Sequence, residues 1–205
     1  MSYRDRLSKV GTAPWSIPLG THLGTNIPNE TSVPQLSLAG SRLKTEDSYR
    51  ATWTSRRSPI AGYNCFGHVF ACRRTALYGD ADIEEVLCED GFGEIHNEAD
   101  WAPGDVVVYF DDDGPMHAGE LVRFDHVPIG LMDGPQEPQA RVPIVLSKLD
   151  DVSGEYEHKL AEYTGTHGES LTFKVYRARH SAPSRKPPGG WRGMLASLAG
   201  SSSES

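Results

Sequence analysis

Cys65 has the setting in this chain that best suits nucleophilic chemistry. It lies in the run Gly62-Tyr63-Asn64-Cys65-Phe66-Gly67-His68-Val69-Phe70, where an irregular polar segment gives way to a helical apolar pattern. A cysteine at a helix N-terminus is close to unpaired backbone N–H groups, whose partial positive charge favours the thiolate over the thiol. The sequence therefore predicts a nucleophile whose pKa is lowered below the roughly 8.5 of a free thiol.

His117 is the histidine best placed to serve that thiol as a base. Residues 103–110 have the pattern of a buried strand, and the turn Asp111-Asp112-Asp113-Gly114-Pro115 leads from them to His117 on the next strand. A cysteine hydrolase needs a thiolate, an imidazole within about 3–4 Å, a polar group that orients the imidazole, and N–H donors for the oxyanion. We expect Cys65 and His117 to meet across a helix and a hairpin, with His117 acting as general base and then as general acid.

Two helices and several strands are predicted to position this pair. Apolar residues recur at helical spacing after Cys65, which predicts a helix over residues 65–78. Asp82 with Glu85 resembles a capping pair for a second helix. Strands are predicted at four segments of the chain: 106–110, 117–124, 144–147 and 171–176. A helix followed by antiparallel strands favours an α+β fold.

The 205 residues are expected to form one organised domain between two polar ends. Residues 1–50 form an N-terminal extension rich in Ser, Thr, Gly, Pro and Asn, without sustained periodicity. Residues 51–180 carry the periodic patterns and form the predicted core domain. Residues 181–205 have the composition of a disordered tail, in which Trp191 belongs to a short amphipathic stretch that offers a contact for a protein partner.

The motifs around the two candidate residues resemble those of the NlpC-type branch of the papain-like cysteine peptidases. The similar features are Asn64-Cys65-Phe66-Gly67 at the start of a helix, Pro103-Gly104-Asp105-Val106-Val107 in a strand, and His117-Ala118-Gly119 after a glycine turn. The usual Asp-Cys-Ser-Gly and His-Val-Gly of that branch are altered here, and the resemblance covers residues 60–150. It implies an α+β, papain-like domain that acts on an amide bond through a Cys–His thioester, by hydrolysis or acyl transfer, with a peptide or other amide as substrate.

The resemblance leaves two candidates for the residue that orients the imidazole. In NlpC-like enzymes this polar residue follows on the strand after the histidine strand, which points to Ser147 or His158, and we favour His158. The segment Val145-Leu146-Ser147-Lys148-Leu149 and the later His158 are also similar to a bacterial group of the same class that carries a Ser-Lys-Trp-Gly-like strand. No cofactor or metal is expected, because thiolate, imidazole and backbone donors suffice for this chemistry.

Two alternatives to a hydrolase remain open. The papain-like shape can serve as a non-catalytic interaction protein, because fold alone does not establish chemistry. A zinc-stabilised module is the other alternative, since Cys65, His68 and Cys72 share one helical face and Cys88 or His96 could complete a tetrahedral set.

Composition and charge exclude several other classes. A formal net charge of −8 disfavours binding to nucleic acid, whose phosphates this surface would repel. No stretch approaches the roughly 20 apolar residues of a membrane helix, so no membrane association is expected. The N-terminal residues lack the apolar core of a signal peptide, and the three cysteines are an odd number, which argues against a disulfide framework. These features favour a cytoplasmic location with free thiols.

Overall fold

The computed structural model describes residues 16–31, 52–58, 60, 62–129, 139–149, 153–166 and 171–179. Its strands are β1 (Thr54–Arg57), β2 (Phe92–Glu94), β3 (Val106–Phe110), β4 (Pro115–Pro128), β5 (Gln139–Lys148), β6 (Glu155–Lys159) and β7 (Thr172–Ala178). Its helices are α1 (Cys65–Phe70), α2 (Asp80–Glu89) and α3 (Leu160–Thr166), with a 3₁₀ turn at Glu98–Asp100. The seven strands form one antiparallel sheet in the order β1-β6-β5-β4-β3-β7-β2.

The centre of the sheet is a hairpin of β3 and β4. Val106 to Phe110 is a run of β-branched and aromatic residues, which suits a strand covered on both faces. The turn after it closes because Asp111 Oδ1 accepts hydrogen bonds from the N–H groups of Asp113 and Gly114, at 2.9 and 3.1 Å. Gly114 has a φ of 138°, which an L side chain rarely adopts, so a glycine is required at this point of the turn.

Each face of the sheet carries its own apolar core. Helices α1 and α2 pack on one face, against Val106, Val108 and Ala118. Helix α3 packs on the other face, where Tyr163 joins a second group of side chains from β3, β4, β5 and β7. Because successive side chains of a strand point to opposite faces, neighbouring residues of β3 and β4 belong to different cores.

The prediction of an α+β fold of papain-like, NlpC type is wrong. The described residues are 43% strand and 19% helix, and their strands form a single seven-stranded antiparallel sheet, which is a mostly-β fold. The helix predicted over residues 65–78 ends at Phe70. It ends there because Cys72 and Arg73 have φ values of 49° and 64°, in the left-handed region where a right-handed helix cannot continue.

The other predicted elements have mixed outcomes. The second helix is confirmed, but it begins at Asp80 and has Gly79 at its N-cap position, so Asp82 and Glu85 do not form its start. The four predicted strands are confirmed: they correspond to β3, β4, β5 and β7, although Leu171 lies just before β7. Strands β1, β2 and β6 were not predicted; β6 is rich in charged side chains and has no apolar pattern that would indicate it.

Parts of the predicted domain organisation fall outside the described residues. These parts are the predicted tail at 181–205, which includes Trp191, and residues 1–15 and 32–50 of the predicted N-terminal extension. Residues 16–31 of that extension pack on the α1–α2 side, where Ile27 is buried and Glu30 pairs with Ala76. Within the described ranges, no helix is both long enough and apolar enough to cross a membrane.

Candidate functional site

Cys65 is the first residue of α1, and Asn64 fixes it there. The Asn64 side chain accepts a hydrogen bond from the Gly67 N–H at 2.9 Å, which is the usual role of asparagine at a helix N-cap. The same side chain accepts from the Leu77 N–H and donates to the Leu77 carbonyl. These bonds tie the start of α1 to the segment that precedes α2, so the position predicted for Cys65 at a helix N-terminus is confirmed.

The Cys65 thiol lies in a buried setting that works against ionisation. Burial raises the pKa of the Cys65 thiol to about 11, because the loss of solvation outweighs all the groups that favour the thiolate. Those groups are the backbone N–H groups of Ala118, Phe66 and Cys65 itself, and the charge of Lys148. The helix N-terminus therefore acts in the predicted direction, but burial reverses the net effect on the pKa.

His117 lies on the other face of the sheet from Cys65. Its imidazole stacks on the Tyr163 ring, with 4.0 Å between the ring centroids and 10° between the planes. Its neighbour Ala118 belongs to the core beneath α1 and α2, together with Cys65. Because adjacent side chains of β4 point to opposite faces, the imidazole of His117 projects away from the face where Ala118 and Cys65 share a core. Their joint catalytic role stays a prediction without geometric support.

Ser147 and His158 contact each other. Ser147 Oγ lies 2.9 Å from His158 Nε2, and His158 Nδ1 lies 3.0 Å from the Lys159 carbonyl. A carbonyl can only accept, so Nδ1 donates this bond, and in the neutral imidazole Nε2 then accepts from the serine hydroxyl. Trp53 stacks on the His158 ring at 4.3 Å, and both Ser147 and His158 are buried. The two candidates for the orienting residue thus form a pair of their own on the α3 side of the sheet.

The zinc alternative gains no support from the described part of the chain, where no three His, Cys, Asp or Glu side chains are arranged to hold a metal ion. Cys65 is buried, whereas Cys72 and Cys88 are exposed free thiols. His68 Nδ1 lies 3.2 Å from a carboxylate oxygen of Glu155. His96 is an exposed residue beside Glu94.

A buried charged cluster on the α1 side was missed by the sequence reasoning. Glu155 accepts hydrogen bonds from Tyr63 Oη and Arg73 Nε, both at 2.7 Å, and it is also the carboxylate beside His68. Lys148 pairs with Glu155 across β5 and β6, is fully buried, and donates to the Ser153 carbonyl at 2.7 Å. No sequence motif marks this cluster, because it depends on the register between two strands.

A cavity of about 620 Å³ opens beside Cys65. It lies between the start of α1, the first turn of α2, the beginning of β4 and the segment before residue 31. Its described lining combines apolar, amide and acidic side chains: Pro28, Asn29, Glu30, Asn64, Cys65, Phe66, Leu77, Tyr78, Gly79, Asp80, Asp82, Pro115, Met116 and Leu149. Neither His117 nor His158 is among these residues.

Comparisons of the chain with family models, with curated proteins and with solved structures gave no match.

Proposed function

We propose that this chain binds a small molecule in the cavity beside Cys65. The observation that carries the proposal is the cavity itself, because about 620 Å³ falls within the range of roughly 300–1,000 Å³ that is usual for small-molecule sites. Most sites of this kind have apolar walls with a few polar groups. The present cavity has both, with Phe66, Met116 and Leu149 among its apolar lining residues.

The inner wall of the cavity is held in place before any ligand arrives. Phe66 and Leu77 are buried in the core beneath α1 and α2. Asn64 joins these two parts of the wall through its bonds to the Gly67 and Leu77 backbone. A preformed wall lowers the ordering cost of binding, which favours a ligand site over a gap in packing.

The binding proposal is tested with N-phenyl-1-naphthylamine, a neutral dye that fluoresces in apolar surroundings. We expect saturable binding of about one dye per chain. Met116→Trp should weaken that binding at least tenfold by placing a larger, rigid ring in the wall of the cavity, whereas Met116→Leu, which nearly conserves volume, should preserve it. A dye that binds Met116→Trp as well as the parent protein would show that the cavity is not the binding site.

A second candidate function is hydrolysis or acyl transfer at an amide bond with Cys65 as nucleophile. It is favoured by one observation, namely that Cys65 both begins a helix and lines the cavity. Its sulfur also interacts with the N–H groups of Phe66 and Ala118, which are donors of the kind that an oxyanion requires. This candidate needs a base that reaches the thiol, and the imidazole of His117 is on the other face of the sheet.

The binding function and the hydrolase function predict different pH dependence for the rate at which iodoacetamide alkylates Cys65. The measurement uses a Cys72→Ser, Cys88→Ser background, in which Cys65 is the remaining thiol. Without a base, the rate should rise about tenfold per pH unit toward the thiol pKa of about 11, because only the thiolate reacts. The variant His117→Ala should then leave the rate unchanged. A rate that is already high at about pH 6 and that falls in His117→Ala would favour the hydrolase.

A further inference from the structure

Carboxylates surround the mouth of the cavity. Glu30, Asp80 and Asp82 are part of its lining, and the described lining contains no lysine, arginine or histidine. Asp80 is exposed and Asp82 is half-buried, which places these two groups where the cavity meets solvent.

The turn between β3 and β4 adds further negative charge at Asp80. Asp80 packs against this turn, since its Cβ lies 3.5 Å from the position that a side chain at Gly114 would take. The pKa of Asp80 is raised first by burial and then by four neighbouring acidic groups. These groups are Asp111, Asp113, Glu84 and Asp82. Carboxylates that raise the pKa of a neighbour repel one another, and a cation between them would relieve that repulsion.

The first turn of α2 accounts for only part of this arrangement. Asp80 and Asp82 lie in that turn, where negative charge is favoured by the helix dipole. Glu30 lies outside α2, near its bridge to Ala76, and it nevertheless lines the same cavity. Asp111 and Asp113 come from the turn between β3 and β4. Three separate segments thus contribute negative charge to one opening above an apolar interior.

From this charge complementarity we infer that the ligand is a small organic cation, an ammonium group joined to an apolar body. This inference rests on the proposed binding function and adds the chemical class of the ligand. The ammonium group lies at the mouth beside Asp80 and Asp82, and the apolar body lies inward against Phe66 and Met116. An anionic ligand of the same shape is repelled by the same carboxylates.

The test measures how well three probes of similar shape protect Cys65, and it uses the Cys72→Ser, Cys88→Ser background. The probes are 2-phenylethylamine, which carries an ammonium group, 2-phenylethanol, which is neutral, and 3-phenylpropionate, which is anionic. The readout is the rate of modification of Cys65 by the small neutral reagent methyl methanethiosulfonate at about pH 9. We expect the amine to halve this rate at a concentration at least tenfold lower than the alcohol, and 3-phenylpropionate to protect least.

Variants that remove one carboxylate test whether the preference for amine over alcohol arises at the mouth of the cavity. Asp80→Asn and Asp82→Asn, each tested separately, should reduce the preference for amine over alcohol about fivefold, which is a typical effect of one nearby charge at a half-exposed site. Glu98→Gln makes the same change in net charge on the exposed 3₁₀ turn, and it should leave the preference unchanged.

The outcomes separate this inference from the proposed function. Equal protection by the three probes, or a preference that survives both aspartate variants, would overturn the cation inference while the dye titration still supports binding. Dye binding without any protection by the amine would overturn it as well. If the dye does not bind and no probe protects Cys65, both the proposed function and the inference are wrong.

Discussion

The Asn64 side chain joins two parts of the cavity wall. It is buried, and it makes hydrogen bonds to the backbone of both Gly67 and Leu77. Loss of its amide would leave buried backbone groups of Leu77 without these partners, which is more costly than the loss of an exposed hydrogen bond. The cap of α1 and one wall of the cavity thus share a single residue.

We predict that Asn64→Ala lowers the free energy of unfolding by about 3 kcal/mol, from the lost cap and the unsatisfied backbone groups. The matched control is Asn97→Ala, which removes an exposed asparagine cap whose side chain accepts one hydrogen bond, from the Ala99 N–H. That variant should cost about 1 kcal/mol or less. Urea unfolding at pH 7 measures both values, and equal losses would show that the Leu77 bonds contribute nothing.

Glu155 joins separate segments among the charged residues, as Asn64 does among the uncharged ones. Burial by itself raises the pKa of its carboxyl, but hydrogen bonds from Arg73 and Tyr63 and the nearby charges lower that pKa to about 2. Arg73 reaches Glu155 from the left-handed turn that ends α1, and its guanidinium donates through Nε and Nη2. This ion pair helps to hold the turn that ends α1 in an unfavourable backbone conformation.

At the scale of elements, α1 is a six-residue helix that is stabilised by its surroundings. A helix this short is unstable in isolation. It forms here because Asn64 caps it and because its side chains are packed in the core. Gly67 lies inside α1, at the closest approach of the helix to the chain that follows it. A Cβ at this position would lie 1.8 Å from the Thr75 carbonyl oxygen, far inside van der Waals contact.

We predict that Gly67→Ala lowers the free energy of unfolding by more than about 3 kcal/mol, because α1 would have to move away from the segment at Thr75. Gly91→Ala is the control. Gly91 has a φ of 70°, but a Cβ there meets no atom within 4 Å, so only backbone strain of about 1 kcal/mol is expected. Urea unfolding of the two variants gives the comparison, and a tolerated Gly67→Ala would contradict the close packing described for α1.

At the scale of the whole molecule, the sheet separates two kinds of polar interior. The α1 side contains the charged cluster of Glu155, Arg73 and Lys148, with His68 beside it, whereas the α3 side contains the hydrogen-bonded pair of Ser147 and His158. The charged cluster couples the stability of the whole fold to pH. Burial and the charge of Arg73 lower the pKa of His68 to about 4, and these two effects outweigh the opposite effect of Glu155.

We predict that the protein loses stability as the pH falls below about 6.5. His68 binds a proton near pH 6.5 when unfolded and near pH 4 when folded, so the unfolded state takes up more protons between these values. The loss from His68 should reach about 3 kcal/mol at pH 4. Glu155 adds to the loss as the pH falls from about 4.5 toward 2, because its pKa is also lower in the folded state.

Urea unfolding between pH 7 and pH 4.5 tests the contribution of His68. The variant His68→Gln should show a clearly smaller decline in stability over this range than the parent protein. His22→Gln changes an exposed histidine and should keep the parent's decline. If His68→Gln declines as steeply as the parent protein, the acid sensitivity has another origin.

The sequence by itself determined the features that depend on neighbouring residues. The apolar run at Val106–Phe110 predicted its strand, the aspartate-rich turn predicted the hairpin, and the polar-to-apolar change at Cys65 predicted a helix start. The candidate residues Cys65, His117 and Ser147 lie on elements that begin or run where expected, whereas His158 lies on β6, which was not predicted. Such features have a local physical cause, since caps, turns and side-chain periodicity involve residues a few positions apart.

The tertiary structure alone decided which of these residues share a face. Alternation along β4 separates His117 from Ala118, but the face that receives Cys65 depends on where α1 packs, far away in sequence. A shift of one residue in register would exchange the two faces, so the meeting of a thiol and an imidazole cannot be deduced from their spacing. The pairing of Lys148 with Glu155 and the cavity beside Cys65 are likewise set by contacts between distant segments, because packing and register are properties of the assembled sheet.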